Sequence, residues 1–269
     1  MIHSIQGKVA IVTGAGRGIG RAIARHFHEA GAIVMYADSD EAALQVELGD
    51  LPASSAGQVQ SFAGDLGKKL TLANLVSATI DAFDRVDILV NAHRNVMQCD
   101  PLSTDEDQLG ELMRQNMVSA LRLSQLVAKR MVAQAETDQP GVQAGAIVNV
   151  TSLAAERPQP CNLSYSIASA ALAQATRSLA VALAPKRIRV NGLAFASIMS
   201  NNLQNMLRED PGLRDRLISA TPLGRIAGAD ELGPVAAFLA GEASGFMTGQ
   251  ILRVDGGRSL ADGATPAVF

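Results

Sequence analysis

Seven short apolar runs, rich in β-branched residues, recur along the chain with helix-length segments between them, and this alternation constrains the fold more than any other feature. The runs are 9–12, 32–36, 58–62, 86–90, 146–150, 188–190 and 251–254. Continuous apolar runs of this length are typical of parallel strands buried on both faces. The segments between them that we predict to be helices include 21–30, 70–83, about 104–135, 165–184 and 231–239. Strand–helix–strand units with right-handed crossovers therefore predict one α/β domain with a doubly wound, seven-stranded parallel sheet and helices on both faces.

Two segments depart from the alternation. Residues 137–143 are polar and turn-rich, which predicts an exposed loop before the fifth strand. Residues 197–221 insert a helix that carries Met and Leu on the carboxyl side of the sheet. This insertion is either a lid over a ligand cleft or a plain surface excursion.

Composition excludes several classes of function. The formal net charge is −3 and no basic run of five residues occurs, so a nucleic-acid partner is not expected. The two cysteines, Cys99 and Cys161, lack the spacing of a disulfide scaffold or a zinc site, so we expect no metal and a reducing compartment. The first residues do not read as a signal peptide and no window of 18 uninterrupted apolar residues occurs, so we expect a soluble cytoplasmic protein without a membrane partner.

A glycine-rich turn follows the first strand and leads directly into a helix. Its glycines, Gly14, Gly18 and Gly20, have the spacing G-x-x-x-G-x-G, which differs from the common G-x-G-x-x-G. Glycines let the backbone approach a pyrophosphate closely, and a helix N-terminus offers unpaired N–H groups to it. The turn, including Arg17 and Ile19, is therefore a predicted dinucleotide site.

Acidic residues close two strands, with Asp38 at the end of the second strand and Asp65 at the end of the third. Asp38, 24 positions beyond Gly14, can accept hydrogen bonds from the adenosine ribose and repel a 2′-phosphate, which favours NAD over NADP. The alternative is that Asp38 caps the next helix, a role for which Ser39 and Asp40 compete. Arg17 could instead bind the 2′-phosphate of NADP, so the preference stays open. Asp65, with Leu66, is expected to meet the adenine.

These residues, together with later motifs, resemble the classical short-chain dehydrogenase/reductase family over nearly the whole chain. The motifs are the glycine turn, Asp65-Leu66, 89–91 ending in Asn91, 149–152, Tyr165, 188–191, 248–250 and 254–257, in the order and spacing of the family. The resemblance implies a Rossmann fold, a nicotinamide cofactor, a small carbonyl or alcohol substrate, and a homo-oligomer, either a tetramer or a dimer.

The resemblance also implies a catalytic tetrad of Asn, Ser, Tyr and Lys. Asn116, Ser152 and Tyr165 match its first three members, and Asn91 matches a cofactor-binding asparagine. The family's lysine lies four residues after the tyrosine, where this chain has Ser169. A cation one helical turn from a tyrosine favours its phenolate, whereas a serine supplies no charge. Carbonyl reduction needs a neutral tyrosine as acid, so we expect reduction to survive the loss better than alcohol oxidation.

Two further departures surround the same region. The family's Asn-Asn-Ala-Gly is here 91–94, which places His93 and Arg94 at the two small positions, and Phe195 with Ala196 replaces Pro-Gly. His93 or Arg94 could replace the lost cation, or both could point to solvent or to a subunit contact. Arg157 is another candidate cation or a surface residue. The sequence thus predicts either an NAD(P)-dependent oxidoreductase with an altered site or a catalytically silent dinucleotide-binding protein that acts through assembly or regulation.

Overall fold

The computed structural model describes residues 5–52, 58–102, 108–137 and 143–261. Its seven strands form one parallel sheet in the order β3-β2-β1-β4-β5-β6-β7. They are β1 Val9–Thr13, β2 Ile33–Asp38, β3 Val59–Ala63, β4 Ile88–Asn91, β5 Gly145–Ser152, β6 Ile188–Phe195 and β7 Ile251–Val254. The predicted doubly wound, seven-stranded sheet is confirmed.

The helices between the strands differ from the prediction in three places. They are α1 Gly18–Glu29, α2 Glu41–Gly49, α3 Lys69–Phe83, α4 Gln108–Leu112, α5 Ser119–Ala135, α6 Leu163–Leu183, α7 Asn201–Glu209, α8 Leu213–Ser219 and α9 Leu232–Ala240. Helix α2 was not predicted. The long helix expected over about 104–135 begins at Gln108 within the described residues and contains a π-helical segment, Met113–Val118. The single helix expected within residues 197–221 is two helices, α7 and α8.

Two apolar layers hold the sheet. Val12 of β1 packs in the cluster that includes Phe27 of α1 and Leu232 of α9. Ile11, the preceding residue, packs in the other cluster with Leu75 of α3. Neighbouring side chains of a strand point to opposite faces, so the continuous apolar strand serves both layers.

The longest helix, α6, belongs to the second layer. With its final turn it spans Leu163–Lys186, which by length and composition alone could cross a membrane. Leu172 and Thr176 on α6 are buried, and Leu179 packs in the cluster on the sheet. Burial of this face accounts for part of the apolar character of α6.

The strand order places the cleft. The chain runs outward from β1 to β2 and β3, then returns to β4 on the other side of β1. Helices that follow β1 and β4 therefore lie on opposite faces, which leaves a crevice at the carboxyl ends of these strands.

Candidate active site

One cleft of about 1570 Å³ lies along the carboxyl ends of the strands. It runs from the β1–α1 turn, past the ends of β4, β5 and β6, to α7 and α8. Ligand pockets usually enclose about 300–1000 Å³. The cleft therefore has room for a dinucleotide together with a second small molecule.

The glycine turn forms one end of this cleft, with Gly14, Arg17, Gly18, Ile19 and Gly20 all in its lining. A Cβ at Gly20 would lie 2.1 Å from the Gly14 carbonyl oxygen, so the turn closes only with glycine there. Gly14 has φ +67° and leaves only 2.8 Å between an added Cβ and the His93 Cα. Helix α1 starts at Gly18 without a side-chain cap, which leaves its first amides open to an anion. The turn fits the pyrophosphate of a dinucleotide.

Asp38 ends β2, as predicted, and lies beside this turn. Its Oδ2 accepts from the Gly16 amide at 2.9 Å and its Oδ1 from the Asp40 amide at 3.1 Å. The alternative capping role belongs to Asp40, whose Oδ1 accepts from the Ala43 amide at 2.9 Å at the start of α2. Asp40 also pairs with Arg17. Asp38 therefore faces the cleft rather than capping α2, and Arg17 is already engaged by a carboxylate.

Asp65 and Leu66 line the same end of the cleft. Asp65 lies two residues beyond β3 rather than closing it. Its Oδ1 accepts from the Gly67 amide at 2.9 Å, which orders the turn before α3. Leu66 is 4% exposed and packs with the second apolar layer. Asp65 thus shapes the adenosine end, and its contact with an adenine stays a prediction.

Ser152 and Tyr165 line the middle of the cleft. Ser152 is the last residue of β5, and its Oγ accepts from the Ala154 amide at 3.1 Å. Tyr165 lies in the first turn of α6 and is 7% exposed. Ser169, one turn later, is buried and is not among the described residues that line the cleft. Its carbonyl accepts from the Thr151 hydroxyl at 3.1 Å, so the backbone of α6 is tied to β5 at that point.

The side chains of the two predicted asparagines form hydrogen bonds with protein groups around the cleft. The Asn116 side chain, in the π-helical segment, accepts from the Asn95 amide at 2.7 Å and donates to the Asn95 carbonyl at 2.8 Å. Asn91 lies beneath the cleft, where its amide donates to Asn149 Oδ1 at 2.8 Å and to Ser124 Oγ at 3.0 Å. Neither is among the described lining residues. A direct contact between either side chain and a ligand stays a prediction.

His93 points inward, so neither of the roles expected for it describes its position. Its Nδ1 lies 2.7 Å from Thr13 Oγ1 and its Nε2 lies 2.7 Å from Ser119 Oγ. The Ser119 hydroxyl donates to the Gln115 carbonyl, so it accepts from His93 Nε2. Nδ1 is then unprotonated and accepts from the Thr13 hydroxyl, whose oxygen also lies 3.3 Å from the Val90 carbonyl oxygen. Burial lowers the pKa of His93 to about 4. His93 is therefore neutral near pH 7, and it joins β1, β4 and α5 instead of replacing the cation.

Arg94 turns into the cleft. Its guanidinium carbon lies 4.1 Å from the centroid of the Phe195 ring, which is cation–π distance. Its Nη1 is buried and has no hydrogen-bond partner among the residues that the structure describes. Burial lowers the pKa of Arg94, and the neighbouring Tyr165 counteracts this effect. An arginine stays charged under such shifts, so the cleft holds a positive charge that interacts electrostatically with Tyr165.

Arg157 lies toward the lid end of the cleft, where its Nη2 donates to the Ser259 carbonyl at 2.6 Å. Of the cations considered from the sequence, Arg94 has an electrostatic interaction with Tyr165. Helices α7 and α8 contribute Leu203, Met206, Leu213 and Leu217 to the lining. The predicted lid segment therefore borders the cleft.

Comparisons with known proteins agree with this geometry. A family model described as enoyl-(acyl carrier protein) reductase matches residues 14–259. The chain is 34% identical over 262 residues to galactitol 2-dehydrogenase (L-tagatose-forming) of Cereibacter sphaeroides, covering 96% of this chain and 98% of that protein.

Solved structures of two dehydrogenases are also similar to this chain. A 7α-hydroxysteroid dehydrogenase complexed with NADH and 7-oxo glycochenodeoxycholic acid is similar with a TM-score of 0.87 and 31% identity, covering 95% of this chain and 96% of the other. A gluconate 5-dehydrogenase from Burkholderia cenocepacia in complex with NADP and tartrate gives a TM-score of 0.86 and 29% identity, covering 97% and 98%. The similar proteins include complexes with either dinucleotide.

Proposed function

The chain belongs to the short-chain dehydrogenase/reductase family, and from this premise we propose that it is an NADH-dependent reductase of small carbonyl compounds. The observation that carries the proposal is that Ser152 and Tyr165 line the same cleft as the glycine turn. A hydroxyl pair of this kind can bind a carbonyl oxygen and protonate it.

The preference for NADH rests on the adenosine end of the cleft. Asp38 faces the space beside the glycine turn, and a carboxylate there accepts hydrogen bonds from ribose hydroxyls and repels a phosphate. Arg17, which could favour NADPH, is paired with Asp40. A dinucleotide bound on this turn supplies the hydride that reduces the carbonyl carbon.

Side chains of the protein bind the carbonyl oxygen and supply the proton that it takes up. The Ser152 hydroxyl donates a hydrogen bond to the carbonyl oxygen and polarises the bond, because its oxygen already accepts from the Ala154 amide. The Tyr165 hydroxyl then gives its proton to the oxygen as the alcohol forms, which leaves a phenolate. Water restores the proton. Asn116 fixes the loop that carries Arg94 by holding Asn95.

Arg94 supplies the charge that the family's lysine supplies from the position of Ser169. A guanidinium beside Tyr165 stabilises the phenolate left after proton transfer. Unlike an ammonium on α6, it reaches the tyrosine from the loop after β4.

A catalytically silent, dinucleotide-binding protein is the second candidate. The observation that favours it is the stack of Arg94 on Phe195, which fills part of the cleft where the family has small residues. Assembly is part of this alternative, because α6 exposes Ile167 and Val181 on its surface, with exposed fractions of 41% and 79%. A homo-oligomer and a cytoplasmic location stay proposals for both candidates.

Turnover separates the two candidates. High concentrations of the protein are incubated with NADH and a panel of aldehydes and ketones, and NADH consumption is followed by absorbance. The first candidate requires alcohol formation that Tyr165→Phe reduces by about a hundredfold or more. The matched control is Tyr36→Phe, which changes the other tyrosine, buried in the core. Binding of NADH by calorimetry without any turnover would establish the silent candidate.

A further inference from the structure

Two arginines line the lid end of the cleft, and neither has a carboxylate as a hydrogen-bond or ion-pair partner among the described residues. The Arg157 side chain donates to the carbonyl of Ser259, the residue that follows Arg258. Arg258 Nη1 donates to Ser197 Oγ at 3.1 Å. Both arginines line the cleft. Their hydrogen bonds among the described residues are to neutral oxygens, and the negative charge that acts on Arg258 is that of Asp255.

The Asp255 carboxylate acts on Arg258 through its charge but forms its hydrogen bonds with backbone amides. Asp255 accepts from the Gly257 amide at 2.9 Å and from the Ser259 amide at 2.8 Å, one amide to each oxygen. Burial lowers the pKa of Arg258 and the charge of Asp255 only partly offsets this. A half-buried guanidinium in this setting is more stable when an anion pairs with it.

The other charges of the cleft are distributed unevenly. Asp38 and Asp65 lie at the adenosine end, and Arg216 on α8 is paired with Asp210. Glu209, exposed on α7, is the acidic residue at the lid end among the described lining residues. The lid end therefore has a positive charge where a substrate would lie.

We infer that the substrate carries a negatively charged group, a carboxylate or another anion of similar size, which Arg258 and Arg157 bind at the lid end of the cleft. This inference rests on the proposed carbonyl reduction. Bidentate guanidinium–carboxylate pairs fix orientation as well as affinity. The apolar side chains of α7 and α8 would then contact the rest of the substrate, while its carbonyl lies near Ser152 and Tyr165.

Binding tests the inference without any turnover. The protein saturated with NADH is titrated with benzoate and with benzamide, two molecules of the same shape that differ in charge, and binding is followed by ligand-observed NMR. Benzoate is expected to bind at least about tenfold more tightly, the usual contribution of a charge-assisted pair. Arg258→Gln should remove the difference and Arg258→Lys should keep part of it. Arg216→Gln is the matched control, since its charge is already neutralised on the lid, and it should leave the difference unchanged.

Two outcomes would overturn the inference. Equal binding of benzoate and benzamide to the NADH-bound protein would show that no anion site exists at the lid end. A loss of NADH affinity in Arg258→Gln, without any preference for benzoate in the original chain, would assign the arginines to the phosphates of the dinucleotide.

The turnover of a matched pair of substrates distinguishes a failure of the anion site from a failure of the proposed reductase activity. With 4-formylbenzoate and 4-formylbenzamide, the inference predicts a kcat/KM at least about tenfold higher for the anion, lost in Arg258→Gln. Reduction of both aldehydes at equal rates would contradict the anion site and leave the reductase intact. A benzoate preference without reduction of either aldehyde would contradict the reductase and leave the anion site.

Discussion

Arg94 lies over the Phe195 ring, with its guanidinium carbon 4.1 Å from the ring centroid, at the point where the loop after β4 meets the end of β6. Because the same guanidinium interacts with Tyr165, it brings a positive charge to the proposed proton donor from a different side of the cleft than a residue on α6 would. This position can be tested by substitution.

Arg94→Met should lower the rate of carbonyl reduction by about tenfold or more, because the phenolate formed by Tyr165 loses its nearby cation. Arg94→Lys should keep part of the rate. The measurement is the rate constant of aldehyde reduction by NADH under single-turnover conditions, together with kcat at steady state. An unchanged kcat in Arg94→Met would show that Arg94 does not assist Tyr165.

Ser169→Lys should have little effect in the original chain and a large one in the Arg94→Met background. A lysine one turn after Tyr165 supplies the same charge as Arg94, so the two substitutions are not additive. We expect the gain in kcat to be at least about tenfold greater in the Arg94→Met protein. Ser169→Ala controls for the loss of the hydroxyl. Equal gains in both backgrounds would mean that Arg94 and a lysine at 169 act independently.

Asp40→Asn should raise affinity for NADPH and leave affinity for NADH nearly unchanged. Asparagine still caps α2, but it no longer neutralises Arg17, which becomes available for a 2′-phosphate. We expect a gain of roughly threefold to tenfold in calorimetric NADPH affinity. The control Asp40→Glu keeps the charge. A larger change in the affinity for NADH than in the affinity for NADPH would contradict this role of Arg17.

The protein should lose stability as the pH falls from 6.5 toward 4, in part through His93. Its pKa is 6.5 in a free chain and burial lowers it to about 4 in the fold, so only the unfolded chain takes up this proton in that interval. The free energy of unfolding should fall by up to about 1.4 kcal/mol per pH unit, and by about 3 kcal/mol at most, relative to His93→Ala. Urea unfolding at pH 7 and pH 4.5 measures the difference. Parallel pH dependence in both proteins would show that His93 is protonated in the fold.

The fold could be predicted because its signals are local. Apolar runs such as 146–150 and 188–190 mark strands that the structure extends by only a few residues, to Gly145–Ser152 and Ile188–Phe195. Helix α2 was missed, and its buried residues include the charged Glu47, which is paired with Arg25 of α1. A buried charge held by a distant partner leaves no apolar pattern in the sequence.

The site could be predicted only in part, because its unusual features are contacts between distant segments. The glycine turn, Asp38, Ser152 and Tyr165 were placed in the cleft from their motifs alone. The inward position of His93 depends on Thr13, 80 residues earlier, and on Ser119. No spacing rule identifies that pair of hydroxyls.

The residues on either side of Arg94 are held by hydrogen bonds, and this affects how ligands enter and leave the cleft. His93, which precedes Arg94, forms hydrogen bonds through both imidazole nitrogens. The Asn116 side chain forms hydrogen bonds with both the amide and the carbonyl of Asn95, which follows Arg94. The loop cannot swing aside as a unit without breaking four hydrogen bonds, so the charge is in place before any molecule arrives. The Arg94 guanidinium itself is packed on the Phe195 ring, so the electric field at this point of the cleft is set before a ligand binds.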